Sequence, residues 1–189
     1  KRAAWRIYGR RNGSCTDGGA MGIKVKVTSD VKSLNKAFAE LKALNGRKVN
    51  IGIPAGSKEA QIAAIHEWGL AISVTDKMRN WFKGQGHPLK PSTTQIVIPE
   101  RSFFRAGMDA EGKKIIKNYS KLIPAVINGK LSATAFLDAL GREVTTAIKE
   151  YATNLSSPAN SGFTVERKGS SNPLVDSGNM IGAINYEVK

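Results

Sequence analysis

Cysteine is nearly absent from this chain: Cys15 stands alone in 189 residues. A lone thiol can form neither an internal disulfide nor a Cys-rich metal site, so disulfide-stapled secreted scaffolds, zinc ribbons and dithiol redox centres are excluded. Histidine is scarce too, with only His66 and His87 available for metal or base chemistry. No apolar run approaches the roughly 20 residues that span a bilayer, and the basic N-terminal stretch lacks the apolar centre of a signal peptide. A soluble, intracellular protein without a membrane partner is expected. Acidic residues are in short supply, 15 against 29 Lys and Arg, giving a net charge of +14 and a pI near 10.0. Such an excess favours an anionic partner, whether nucleic acid, an acidic protein surface or a headgroup.

What remains is ordinary globular material. With 41% apolar and 7% aromatic residues, a chain of this length buries roughly 70% of its unfolded surface in one domain. Residues 1–20 stand apart from it. They show no period of 2 or 3.6 and carry Lys1, Arg2, Arg6, Arg10 and Arg11 against Asp17, so that of the net +14 only +10 lies after Ala20. The Asp17-Gly18-Gly19-Ala20-Met21 stretch can be encoded with a GGAGG ribosome-binding sequence just ahead of an ATG. Met21 is therefore the expected start, residues 1–20 a basic extension foreign to the native protein, and residues 21–189 a single domain. The alternative is a genuine basic arm that docks on nucleic acid.

Along the domain, Ile23, Val25 and Val27 alternate with polar residues and predict a strand. Ser29 or Asp30 then caps a helix with Val31, Leu34, Phe38, Leu41 and Leu44 on one face, closed by Asn45-Gly46. Val49, Ile51 and Ile53 predict a second strand. Ser57 caps a helix that turns Ile62, Ile65 and Trp68 inward and ends at Gly69. After Ile72 and Val74, residues 75–93 combine a basic-aromatic helical turn with a Gly/Pro-rich loop and read as an insertion projecting from the sheet. Gln95 to Ile98 resumes as a strand. A helical region follows over 101–155, broken at Gly107, at Pro124 and at Asn128-Gly129, its last helix carrying Phe136, Leu140, Val144, Ala147, Ile148 and Tyr151 on one stripe. Phe163-Thr164-Val165 and residues 181–188 read as short strands. Strand runs and helix runs are partly segregated, which predicts an α+β fold: a small antiparallel or mixed sheet packed against two or three long helices.

Motifs for catalysis fall short one after another. Residues 107–114 satisfy G-x-x-x-x-G-K but place Lys114 where the magnesium-binding Ser or Thr belongs. His66-Glu67 has Leu70 where a zinc-protease helix needs its second histidine. Neither a nucleophile elbow, nor a dinucleotide fingerprint, nor an acidic cluster spaced for two metals is present. No enzyme activity, cofactor or metal is expected. Two surfaces offer contacts instead. Lys113, Lys117 and Lys121, with Lys114 beside them, form a cationic stripe opposite Ile115, Ile116, Tyr119 and Leu122, suited to phosphates more than to base edges. Trp81 and Phe82, among Lys77, Arg79 and Lys83, could stack on a nucleic-acid strand or anchor a protein partner.

Three segments carry a resemblance: Ala63-Ala64-Ile65-His66-Glu67-Trp68-Gly69, then Ile98-Pro99-Glu100-Arg101-Ser102-Phe103-Phe104-Arg105, then Arg167-Lys168-Gly169-Ser170 with Pro173-Leu174-Val175-Asp176-Ser177-Gly178. In this order, over about residues 49–188, the chain resembles the tail-completion or neck proteins of tailed bacteriophages. That family shows an A-x-I-H-E-F/W-G helix end, an I-P-x-R-P/S-F-L/F-R segment and a P-L-x-D-T/S-G turn. Two departures are Ser102-Phe103-Phe104 in place of the commoner Pro-Phe-Leu and the longer link through 75–93. The resemblance implies a non-catalytic virion subunit that forms a ring, expected to be a hexamer, between the portal-side connector and the tail-tube or tail-terminator proteins. It would reside in the virion neck or tail end, pass through the host cytoplasm during assembly, and touch packaged DNA nonspecifically. Glu67, Arg101, Phe103, Arg105, Trp81 and Phe82 are the expected subunit or partner contacts. On the motif's own geometry, Phe104 should pack inward and the two arginines should reach a carboxylate on the same or a neighbouring subunit.

Overall fold

The computed structural model describes residues 31–189. The basic extension, the strand expected through Ile23, Val25 and Val27, and the cap at Ser29 or Asp30 lie outside the described residues. Within them the chain is α+β, as its segregated patterning predicts, but the sheet is divided into two antiparallel pairs. Strand β1 (Val49–Gly52) pairs with β4 (Asn185–Val188), Val49 opposite Val188 and Gly52 opposite Asn185. Strand β2 (Leu70–Ser73) pairs with β3 (Gln95–Ile98), Leu70 opposite Ile98. No described helix is long and apolar enough to cross a membrane.

The long helix α7 (Ala133–Asn154) organises the body. Ser132 caps it by accepting the Ala135 N–H, and its apolar stripe at helical spacing buries Phe136, Val144 and Ile148 while Leu140, Ala147 and Tyr151 pack at the margins. One core gathers Ile148 with Phe103, Ile115, Leu174, Met180 and Ile184; a second, smaller one joins Val126, Phe136 and Leu137. Helix α1 (Val31–Leu44) lies by the start of α7, where Glu40 accepts the Ala133 N–H at 2.8 Å and Arg47 donates to Thr134 at 3.3 Å. Its expected apolar face is only partly used. Leu44 joins the second core, but Leu34, Phe38 and Leu41 remain exposed.

Four further expectations are corrected. Helix α2 (Lys58–Trp68) begins at Ser57 as expected, yet it turns Ala63 and Glu67 inward and leaves Ile62 and Trp68 outside. Gly107 does not break the chain's helical course: α4 (Phe104–Gly107) runs through a π-helical turn, Met108–Gly112, into α5 (Lys113–Ser120). Gly107 is buried, and a Cβ there would meet Tyr151 at an ordinary contact distance of 3.4 Å. Helix α6 (Ile123–Ile127) follows. Phe163-Thr164-Val165 belongs to a helix, α8 (Gly162–Lys168), because Ser161 accepts the Thr164 N–H and nucleates a turn that overrides the β propensity of these residues. Residues 181 and 182 close another short helix, α9 (Asn179–Gly182), before β4 starts.

The segment 75–93 forms the far end of the β2–β3 hairpin and contains helix α3 (Asp76–Gly84), capped by the Thr75 hydroxyl. It folds back on its own chain. Phe82 lies 5.3 Å and Trp81 6.1 Å from the Phe163 ring of α8, and His87 pairs with Glu166 at 3.3 Å.

Candidate functional site

Four of the residues singled out by sequence, Glu67, Arg101, Phe103 and Arg105, meet at the base of the β2–β3 hairpin. Helix α2 ends at Gly69, whose φ of 73° no L side chain adopts easily, and a Cβ there would lie 3.0 Å from Ile98 O and Glu100 N. That close crossing brings Glu67, one turn from the ladder, onto the segment 102–105. Glu67 is 7% exposed. Its Oε2 accepts the N–H groups of Phe103 at 2.9 Å and Phe104 at 3.0 Å, while Oε1 accepts the Ser102 hydroxyl at 2.8 Å, the Arg105 N–H at 3.2 Å and Arg105 Nε at 3.0 Å.

Helix α4 has no capping side chain of its own, so Glu67 supplies the cap from across the hairpin. A helix N-terminus presents unpaired N–H groups and the positive end of its dipole, and a carboxylate answers both. Burial pushes the Glu67 carboxyl up, but hydrogen bonds from Phe104, Ser102 and Arg105 outweigh it and hold the group below the ordinary glutamate range.

The two arginines divide the remaining work. Arg105 bridges Glu67 and Glu100, the latter at 2.6 Å, and its guanidinium stacks 3.9 Å from the Trp68 ring centroid. Arg101 is 5% exposed and meets no carboxylate. Its Nε donates to Pro158 O at 2.7 Å and its terminal nitrogens to Ala159 O, Asn160 Oδ1 and the ring of His66 at 3.4 Å, fixing the loop after α7 to the hairpin base. The arginines therefore meet the geometric expectation by half: Arg105 reaches carboxylates of the same chain, whereas Arg101 binds carbonyls. Phe103 is fully buried and Phe104 half-buried, the two rings 4.9 Å apart.

His66 faces a guanidinium donor, so its Nδ1 must be the unprotonated acceptor in this pairing. Burial first, then the positive charges of Arg101 and Lys168, lower its pKa to about 4. Lys168 reaches the carbonyls of Asn172 and Pro173, and Asn172 Oδ1 accepts the N–H groups of Leu174 and Val175, both at 3.0 Å. A cleft of about 290 Å³ opens beside this network, lined by Lys58, His66, Asn160, Lys168 and Asp176 among others. Residues 63–69, 98–105 and 167–178 are thus joined in one polar network, the last of them through Asn160, which accepts from Arg101 and donates to Asn172 O.

The other candidates lie elsewhere. Trp81 and Phe82 sit on α3 with Arg167 5.1 Å over the Trp81 ring, and Arg79 is spent on the carbonyls of Lys90, Pro91 and Thr93. Lys113, Lys117 and Lys121 all point outward from α5 and its C-cap, while Ile115 and Tyr119 turn inward. Burial, then a hydrogen bond to Glu143, raises the Tyr119 hydroxyl to about 12. No group of three or more potential metal ligands occurs among the described residues.

One cluster escaped the sequence reading: Tyr186 of β4 donates to Asp138 of α7, which also accepts from Arg142. The i, i+4 spacing of Asp138 and Arg142 was visible, but the tyrosine completing it lies 48 residues on. Comparison with protein-family models, curated proteins and solved structures finds no match.

Proposed function

We propose that this chain is a structural subunit of a tailed-phage or prophage particle, completing the tail or joining head to tail as a ring. The observation that carries this reading is the convergence of the three resembling segments. Glu67 and Arg105 bond each other's segments, Arg101 reaches His66 and Asn160, and Asn160 in turn donates to Asn172 O beside Lys168. Such a network has the character of a frame that fixes the base of a projecting hairpin. It supports a structural reading of these residues, which hold one part of the chain to another. The partners on this reading are further copies in a hexameric ring, a connector on the portal side and tail-tube or terminator proteins on the other.

The test is mass photometry with negative-stain microscopy of the purified full chain over a concentration series. A discrete ring mass supports the proposal; a monomer at every concentration overturns it. A second reading, nucleic-acid binding without ring assembly, is favoured by the outward lysine stripe of Lys113, Lys117 and Lys121. It requires tight DNA binding whose logarithm falls steeply with salt, by close to one unit of slope for each phosphate neutralised.

A further inference from the structure

The cleft beside the polar network measures about 290 Å³, close to the lower end of small-molecule sites at roughly 300 Å³. Helix α2 lends it Lys58, Glu59, Ile62 and His66, which spacings of three and four residues set on one side of the helix. Lys168, the last residue of α8, stands across from them, and the turn from Pro173 to Met180 closes the rest.

Three donors in this lining have protons left to give. His66 Nδ1 accepts from the Arg101 guanidinium at 3.4 Å, a group that only donates, so the single proton of the neutral ring sits on Nε2. Nε2 meets no acceptor among the described residues and is open to solvent. Lys168 donates to Asn172 O at 3.1 Å and to Pro173 O at 3.4 Å, and an ammonium carries a third proton. Lys58 is exposed and has no partner among the described residues.

Charge sets the valence of what fits. The two lysines of the lining are balanced by the carboxylates of Glu59 and Asp176, and Arg101, behind the His66 ring, adds one positive charge. The charges that bear on His66 are those of Arg101 and Lys168, both positive. One negative charge beside His66 is thereby compensated, whereas a dianion would be repelled by Glu59 and Asp176. Ile62, Leu174 and Met180 add an apolar part to the lining, which favours a hydrocarbon chain over water.

We infer that this cleft binds a monocarboxylate with a short apolar tail, its carboxylate taking protons from His66 Nε2, Lys58 and Lys168 and its tail lying on Ile62, Leu174 and Met180. The inference stands apart from the ring reading. Two sources carry this chemistry: a free short-chain acid, and the C-terminal carboxylate of a peptide that ends in an apolar residue.

The experiment titrates the 15N-labelled full chain with isovalerate, N-acetyl-leucine, isovaleramide and inorganic phosphate as its dianion, following the backbone amides and the His66 ring by NMR. Isovalerate should saturate in the millimolar range, shift residues 58–66 and 168–180, and raise the pH midpoint of the His66 ring, because a negative charge beside it favours the protonated form. Isovaleramide and phosphate should each bind at least tenfold more weakly. N-acetyl-leucine bound at least as tightly as isovalerate assigns the ligand to a chain terminus, and weaker binding assigns it to a free acid; both uphold the site. Lys58→Gln and Asp176→Asn change exposed residues and should leave Tm unchanged, the first weakening isovalerate at least fivefold, the second tightening it and admitting phosphate. No saturable response to isovalerate, an equal response to phosphate, or an isovalerate affinity unmoved by Lys58→Gln would overturn the inference.

Discussion

Replacing Glu67 by glutamine tests the architecture at its most connected point. The two side chains have nearly the same shape, so the change removes charge and one acceptor oxygen while filling the same space. Glu67 accepts from Ser102, from the N–H groups of Phe103, Phe104 and Arg105, and from the Arg105 guanidinium. An amide presents one oxygen and an NH2 group, and that NH2 would face N–H donors now without an acceptor. Hydrogen bonds to a charged partner are worth roughly 1.5–3 kcal/mol each, and breaking a buried charged pairing costs about 3–5 kcal/mol in all. With one acceptor retained, Glu67→Gln should destabilise the chain by about 3 kcal/mol, which for a domain of this size lowers Tm by roughly 6–12 °C. Urea unfolding followed by circular dichroism would read the loss as a lower midpoint at unchanged slope. The effect should also be non-additive with Arg105→Ala, because both changes break the same contact. A loss below about 1 kcal/mol, or strict additivity with Arg105→Ala, would refute the view that Glu67 caps α4 and closes the hairpin base.

Acid should weaken the fold before the ordinary carboxylate range is reached. His66 is held neutral with a pKa near 4 against 6.5 unfolded, so the unfolded state binds the extra proton and stability falls as pH drops from about 6.5 toward 4. The loss is about 1–3 kcal/mol after solvent screening; His66→Gln should flatten that portion of the stability curve, and an unchanged curve would refute the assignment. Glu67, held below its ordinary value, adds to the decline in the same direction at still lower pH. Gly141→Ala would drive a methyl group into the Tyr186 ring and should cost about 1–3 kcal/mol by calorimetry, with faster amide exchange along β4. Phe163→Ala removes the ring on which Trp81, Phe82 and His87 pack; amide exchange across α3 should rise while α7 keeps its protection.

The elements legible in the sequence were those whose signals are local. Ser57 announces α2 by a hydroxyl that accepts an N–H group three residues on, and the α7 stripe repeats from Phe136 to Tyr151. Phe163-Thr164-Val165 misled because β-branched and aromatic residues favour strands, and Ser161 decides the matter from outside the triplet. The inward face of α2 was misread for a different reason: Ile62 and Trp68 are the large apolar residues, yet the buried positions are Ala63 and Glu67. A carboxylate counts as solvent-facing until its partners are known, and these lie 35 to 38 residues away. The helix end at Phe103 has no side-chain cap of its own, and Ser102 just before it donates its hydroxyl to Glu67 instead of capping, so the need for an outside acceptor shows only in the structure.

The crossing at Gly69 has a consequence for how the chain tolerates change in length. With Glu67 bonded to Phe103 and the Arg101 N–H bonded to His66 O at 2.7 Å, the path from residue 68 to residue 100 leaves the body and returns to the place it left. Whatever lies between those points is topologically a closed loop, and lengthening such a loop twofold costs only about 0.6 kcal/mol of closure entropy. The excursion can therefore be lengthened at its outer turns while the two cores and α7 go on folding as before, so long as Trp81 and Phe82 of α3 keep their contact with Phe163.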